Sequence, residues 1–180
     1  MPSAIDKIDK KIGSRWQGEG RISNQDLADR SGLSPSPCLR RVRSLETSGV
    51  IKGYVALLNP AELGLGVTAF VRVRLREQGD RHLAEFETAV ATIAEVMDCY
   101  LMTGESDYLL RVLVSSLAAF EEMLRLKITS IPGVAEVTTS FALRPVVQRT
   151  DLPLDNHGRD RPSSERQILA GALEEGQTGA

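Results

Sequence analysis

The spacing of apolar residues predicts helices in the N-terminal third of the chain and alternating strands and helices after it. Ile5, Ile8, Ile12 and Trp16 recur every three or four residues. This period predicts an amphipathic helix over residues 4–17. The apolar edge of this helix is expected to cover the two helices that follow.

Two short helices joined by a tight turn follow over residues 23–46. Ser23 stands three residues before Asp26, a capping-box spacing that marks a helix start. Gly32 supplies the turn, because glycine tolerates the positive φ that ends many helices. Ser34, followed by a proline, suits the N-cap of the second helix. The pattern predicts a helix-turn-helix completed by the first helix.

The second of these helices has one apolar and one basic face. The apolar side is expected to pack on the first helix of the pair. The arginines are expected to face outward, where guanidinium groups pair with DNA phosphates or guanine, and the helix N-terminal amides can meet a phosphate. A merely solvated arginine face is the alternative. The apolar positions are Cys38, Leu39, Val42 and Leu45, and the outward ones are Arg40, Arg43 and Ser44.

A β-branched and aromatic run over residues 50–57 predicts a strand, either a small wing or a ribbon between subunits. Turn-forming residues then cluster at Asn59, Pro60, Gly64 and Gly66. We place the domain boundary there.

Residues 67–76 alternate strictly between apolar and polar side chains, which predicts a strand buried on one side. The elements that follow give the order βαββαβ, the ferredoxin-like arrangement of the α+β class. Its open sheet face carries Phe70 and has no helix left to cover it, so we expect a dimer built through this domain. The later elements are a helix through Leu83, Phe86 and Val90, strands over 96–103 and 108–114, a helix capped by Ser116, and a strand over 134–143.

Charge is distributed unevenly along the 180 residues, although the formal net charge is only −2. Residues 1–53 hold ten basic and six acidic side chains, whereas the remaining segments are net acidic. The basic segment coincides with the predicted helix-turn-helix, which favours a nucleic-acid partner for that part alone.

Cys38 and Cys99 lie far apart, without a Cys-x-x-Cys motif or partner histidines. We therefore expect two buried thiols, no disulfide, no metal and no cofactor. The N-terminus lacks the apolar core of a signal peptide, and no run approaches the ~20 apolar residues of a membrane helix. These features predict a cytoplasmic protein.

Two phrases, SGLSPSPCLRRVRSLETSGVIKGY and TGESDYLLRV, resemble the Lrp/AsnC family of feast/famine transcriptional regulators. The resemblance implies a helix-turn-helix domain, winged or plain, a ferredoxin-like effector-sensing domain, dimers that assemble to octamers, and control by a small molecule, usually an amino acid. The corresponding limits are residues 1–53 for DNA binding, 54–66 for a strand and linker, and 67–150 for sensing and oligomerisation. Residues 151–180 extend past the resemblance and are expected to be largely flexible.

The resemblance also implies site residues. Double-stranded DNA would be contacted by Ser34, Ser36, Arg40, Arg41 and Arg43, with Gln25 as a possible phosphate contact. The effector loop would comprise Gly104, Ser106, Asp107 and Tyr108, with Asp107 holding the α-ammonium of an amino acid and nearby amides its carboxylate. A neighbouring dimer would close the pocket with Thr138, Thr139 and Ser140. For Asp107, a purely structural turn-capping role is the alternative.

Two other functions remain open. Some proteins with this layout are tetrapyrrole (siroheme-type) decarboxylases, and Asp98, Glu105 and Asp107 could serve acid–base chemistry. The only histidines, His82 and His157, lie outside the motif strands, so we expect no enzyme. An amino-acid-sensing adaptor without DNA binding is the other alternative. Gly13, which costs a helix about 1 kcal/mol, has no explanation in the sequence, and it stands, like Trp16, where the family usually has leucine.

Overall fold

The computed structural model describes residues 5–154 of the chain. Within them lie two compact units, which we call the helical unit (residues 5–55 with 149–154) and the sheet unit (residues 56–148). The part of the predicted flexible extension beyond residue 154 lies outside the described residues. No helix in the described part is long and apolar enough to cross a bilayer.

Three helices form the helical unit, as the apolar period predicts: α1 (Lys7–Gly18), α2 (Asn24–Ser31) and α3 (Pro35–Thr47). Each contributes side chains to one small core, so no helix depends on its own propensity for stability. The buried apolar residues of this core are Ile12, Ile22, Leu27, Ala28, Cys38, Val42 and Leu45.

Side-chain caps mark where α1 and α2 begin. Asp6 and Asp9 form a reciprocal capping box at the start of α1. At α2 the Ser23 hydroxyl accepts the Asp26 amide at 3.1 Å and donates to the Asp26 carboxylate at 2.6 Å, so the cap is present but not reciprocal. Gly32 ends α2 with φ 74°, the left-handed turn predicted for it.

Three predictions about buried side chains are wrong. Ile5, predicted on the apolar edge of the first helix, is 44% exposed and precedes α1, which begins at Lys7. Leu39 is 39% exposed instead of lying in the α3 stripe, because it follows Cys38 by one position and is rotated toward the outward face. Cys99 is also exposed, because it lies on a strand at the edge of the sheet and has neighbours on one side only.

The strand predicted over residues 50–57 does not form in the single chain. In the described part of the chain no strand lies beside this segment, so its backbone has no ladder partner. Val55 is 86% exposed. Ile51 packs on the core of the helical unit, and Tyr54 folds back with its ring 5.2 Å from that of Trp16 and its hydroxyl donating to Glu46 at 2.9 Å. Burial, and then the bond to Glu46, raises the pKa of Tyr54 to about 12.

The sheet unit has the predicted βαββαβ order. Its strands form one antiparallel sheet in the order β2-β3-β1-β4. The elements are β1 (Val67–Leu75), α4 (Asp80–Val90), β2 (Val96–Leu101), β3 (Tyr108–Val114), α5 (Leu117–Met123), which continues through a π-turn (Leu124–Ile128), and β4 (Val134–Phe141).

Alternation along the strands separates a helix-covered face from an open face. On the covered face Val71, Val73 and Leu110 are fully buried among side chains of α4 and α5. On the open face Phe70 is 39% exposed and Arg72 is exposed. The open face has no helix over it within the sheet unit.

Candidate nucleic-acid interface and ligand-binding loop

One line of exposed polar side chains runs along α3. Ser36, Arg40 and Arg43 occupy positions i, i+4 and i+7 of the helix, and all three are exposed. Neither Arg40 nor Arg43 has an ion-pair partner within residues 5–154. Two guanidinium groups on one line are therefore available to a ligand outside the chain, such as DNA phosphates or guanine edges.

Arg41 has a different environment from its neighbours on α3. Its guanidinium pairs with Asp6 at 2.8 Å and with Asp9 at 2.7 Å. The Asp9 amide, and then Arg41, hold the pKa of Asp6 below its ordinary value. Arg41 is half-buried by this arrangement and joins α3 to the start of α1. A structural role thus competes with its predicted DNA contact.

The start of α3 offers fewer amides than a typical helix N-terminus. Pro35 and Pro37 have no N–H, and the Cys38 amide donates to the Ser34 carbonyl oxygen at 3.2 Å. Only the Ser36 amide remains among the first three helical residues. The Ser34 hydroxyl makes no capping bond, so both groups can face a phosphate.

The first turn of α2 adjoins this helix start. Asn24 donates through Nδ2 to the Pro35 carbonyl oxygen at 3.1 Å, which ties the two helices together. Gln25 is exposed, and within residues 5–154 its side chain reaches only Asp29, at 3.4 Å. Its amide is therefore available for the phosphate contact predicted for it.

Asp107 lies at the end of the predicted effector loop and is buried. One carboxylate oxygen accepts the Leu75 amide at 2.7 Å and the other accepts Gln78 Nε2 at 2.7 Å. Its own amide donates to the Val73 carbonyl oxygen at 2.9 Å. The carboxylate therefore fastens the loop to the end of β1 instead of capping its own turn.

Three other residues of this loop differ in exposure. Gly104 is exposed with φ 116°, a conformation that side-chain-bearing residues rarely adopt, and Ser106 is half-buried. Tyr108 lies in the core, with its ring 4.5 Å from that of Phe86 and its hydroxyl donating to Glu87 at 2.9 Å. Burial, and then the bond to Glu87, raises the pKa of Tyr108. Gly104 is thus exposed to solvent and Ser106 partly so, whereas the tyrosine is buried.

The polar residues of β4 divide between the two sheet faces. Thr138 pairs with Arg72 and Ser140 with Phe70, so both lie on the open face, whereas Thr139 pairs with Val71 and lies on the covered face. The loop and β4 lie on opposite sides of β1 in the sheet. One chain therefore does not bring the two halves of the predicted pocket together.

Sequence reasoning missed the partners that position these groups. Asp6 and Asp9 are recognisable from their spacing as a capping box, but nothing local in the sequence points to Arg41. Gln78 precedes Asp107 by 29 residues, and no sequence signal links the two. Of the carboxylates considered for an enzyme, Asp98 is paired with Arg111.

Comparison with known proteins gives two family matches. A model of the Lrp/AsnC ligand binding domain matches residues 68–152, and a model of a winged helix-turn-helix DNA-binding domain matches residues 5–52. The Bkd operon transcriptional regulator of Pseudomonas aeruginosa is 44% identical over 150 residues, which cover 83% of this chain and 98% of that protein. The leucine-responsive regulatory protein of Escherichia coli is 40% identical over 148 residues, 82% of this chain and 90% of that protein.

Solved structures agree with these matches. A transcriptional regulator from Neisseria meningitidis, solved as a complex with L-Met, superposes with a TM-score of 0.80 at 39% identity and covers 84% of this chain and 98% of its own. A feast or famine regulatory protein from M. tuberculosis, complexed with L-methionine, gives a TM-score of 0.73 at 34% identity and covers 83% and 99%. With its helix-turn-helix unit and its α+β ligand-binding unit, the chain belongs to the Lrp/AsnC family of DNA-binding transcriptional regulators.

Proposed function

We propose that this regulator binds duplex DNA through the outward line of α3, formed by Ser36, Arg40 and Arg43, and that an amino acid controls this binding. The observation that carries the proposal is the pair of exposed guanidinium groups without ion-pair partners in the described chain. Ser34 and Gln25 add phosphate contacts beside this line. The protein acts in the cytoplasm and is not an enzyme.

Arg41 contributes to DNA binding indirectly. Its bonds to Asp6 and Asp9 hold α3 against α1, and a well-placed recognition helix is a condition for base contacts. Phosphate contacts from the other groups fix the register of the helix on the duplex, while base contacts select the sequence.

An amino acid fits the chemistry of the loop around Gly104. Amides near Gly104 and Ser106 can receive an α-carboxylate, since successive backbone N–H groups in a turn form an anion-binding concavity. The buried Asp107 carboxylate holds these amides in place and adds negative charge behind the α-ammonium. Thr138 and Ser140 of another dimer close the pocket. Two similar regulators were solved with L-methionine, which makes amino acids the first ligands to test.

We expect at least one of the twenty amino acids to raise the Tm of the protein by several degrees at about 100 times its Kd. Gly104→Ala should abolish the shift, because alanine strains a backbone with φ 116°. Gly66→Ala is the matched control, since no atom lies within 4 Å of its added carbon. Thermal unfolding with each amino acid measures both effects. No shift with any of the twenty would exclude an amino-acid effector.

We also propose that the chain forms dimers through the open face of the sheet and that dimers assemble to octamers. Apolar side chains on this face support the dimer, because a surface patch of this kind marks an interaction site. The exposed segment around Val55 and Leu57 offers a second apolar surface with unpaired backbone, which suits a ribbon between subunits. The open-face residues concerned are Phe70, Tyr100, Leu109 and Leu113.

Phe70→Glu should convert the assembly to smaller species, because a buried carboxylate at the centre of an apolar interface costs several kcal/mol. Sedimentation equilibrium gives the mass directly. Glu62→Gln, on the short turn before β1, should leave the mass unchanged. A Phe70→Glu protein with the mass of the unsubstituted assembly would show that dimers form elsewhere.

A further inference from the structure

The last described residues lie against α1. The Leu152 amide donates to Gln17 Oε1 at 2.7 Å, and Gln17 Nε2 donates to the Leu152 carbonyl oxygen at 3.3 Å. One side-chain amide thus satisfies both peptide groups of a single residue, as a neighbouring strand would. Gln17 therefore binds the backbone of this segment at Leu152 and holds the segment along α1.

Gly13 lies four positions before Gln17, on the same side of α1. A carbon added to Gly13 would lie 3.1 Å from Leu154 Cδ1, closer than ordinary van der Waals contact. The Leu154 amide donates to the Leu152 carbonyl oxygen at 2.9 Å, and this tight turn directs Leu154 toward the glycine. This contact explains why α1 contains Gly13, although glycine weakens a helix, because the missing side chain makes room for Leu154.

We propose that Gly13 and Gln17 form a docking site on α1 for residues 151–154, which we call the clasp. The start of α1 also holds Arg41 of α3 through Asp6 and Asp9. The clasp follows β4 along the chain. Because α1 contacts both the clasp and α3, docking of the clasp would stabilise the position of the recognition helix. This coupling rests on the DNA-binding function, whereas the docking itself does not.

Two shortened chains isolate the clasp, one ending at Leu154 and one ending at Thr150. Trp16 is the only tryptophan of the chain and stands next to Gln17, so its fluorescence reports on α1. We expect the chain ending at Thr150 to show stronger acrylamide quenching of Trp16 and a lower Tm. We also expect about fivefold weaker binding to a duplex from the protein's own upstream region, the loss that follows when about 1 kcal/mol of the docking free energy is coupled to DNA binding. The chain ending at Leu154 should keep all three properties.

Variants of the full chain supply an independent test. Gln17→Ala should reproduce the stronger quenching, and Ser14→Ala, on the exposed side of the same helix, should not. Gly13→Ala should raise the Tm of the chain ending at Thr150, because alanine is the better helix former. In the chain ending at Leu154 the same substitution should raise the Tm less or lower it.

Identical Trp16 quenching and Tm in the two shortened chains would overturn the clasp, as would an equal gain from Gly13→Ala in both. Unchanged duplex affinity together with altered quenching would overturn the coupling to α3. Failure of every variant, and of the full chain, to bind any duplex would instead contradict the DNA-binding function, and the quenching measurements would still decide whether the segment docks.

Discussion

Replacing Arg40 and Arg43 together with alanine is expected to weaken binding to duplex DNA at least about 30-fold, because each guanidinium contact contributes about 1–3 kcal/mol. Both side chains are exposed on the outward line of α3, so their removal should leave the fold intact. Gel retardation with a duplex from the protein's own upstream region measures the loss. The slope of log affinity against log salt concentration should also become shallower, since fewer counterions are released.

Two further arginine variants serve as controls for this experiment. Arg125→Ala removes an exposed arginine of the sheet unit, whose ion-pair partner in the described part of the chain is Glu121 on the same helix, and should leave affinity unchanged. Arg41→Ala should lower Tm and weaken DNA binding, with affinity recovering on cooling, because its role is to hold α3 on α1. Unaltered retardation by the double variant would show that DNA is bound through other residues, whereas absence of retardation by the unsubstituted protein would favour the sensing adaptor without DNA binding.

Replacing Asp107 with alanine is expected to lower the free energy of unfolding by about 2–4 kcal/mol even without ligand, because the buried Leu75 amide loses its acceptor and a charged hydrogen bond is lost. Chemical denaturation followed by circular dichroism measures this change. The amino-acid-induced Tm shift should disappear as well, since the loop is no longer fastened to β1.

Two neighbouring variants separate stability from ligand contact. Glu105→Ala changes an exposed residue of the same loop and should leave stability unaltered. Gln78→Ala removes one of the two partners of Asp107, so its cost should be smaller than that of Asp107→Ala. Full native stability of Asp107→Ala would show that the carboxylate does not hold the loop.

Periodic patterns were sufficient to predict most elements of this fold. The strict alternation of residues 67–76 predicted β1 and its buried face, and the spacing of Ile12 and Trp16 predicted α1. Local signals also located the helix starts, because Ser23 and Ser116 cap through neighbours three residues away. Such signals act over a few residues and are therefore visible in a single sequence.

Features that depend on distant neighbours were predicted poorly. The run over residues 50–57 has strand-forming side chains, yet a strand also requires a partner that the sequence cannot display. Gly13 became intelligible only through Leu154, and the role of Asp107 through Gln78 and Leu75. The resemblance supplied the effector residues as one set, but the register of β4 turns Thr139 away from Thr138 and Ser140.

The two prolines in the first turn of α3 have a consequence for the energetics of DNA recognition. Their rings fix φ near helical values before any partner arrives. The start of α3 is thus preorganised, and DNA binding need not be accompanied by folding of this segment. We expect a heat-capacity change on operator binding that reflects desolvation of the contact area alone, without the larger signature of coupled folding.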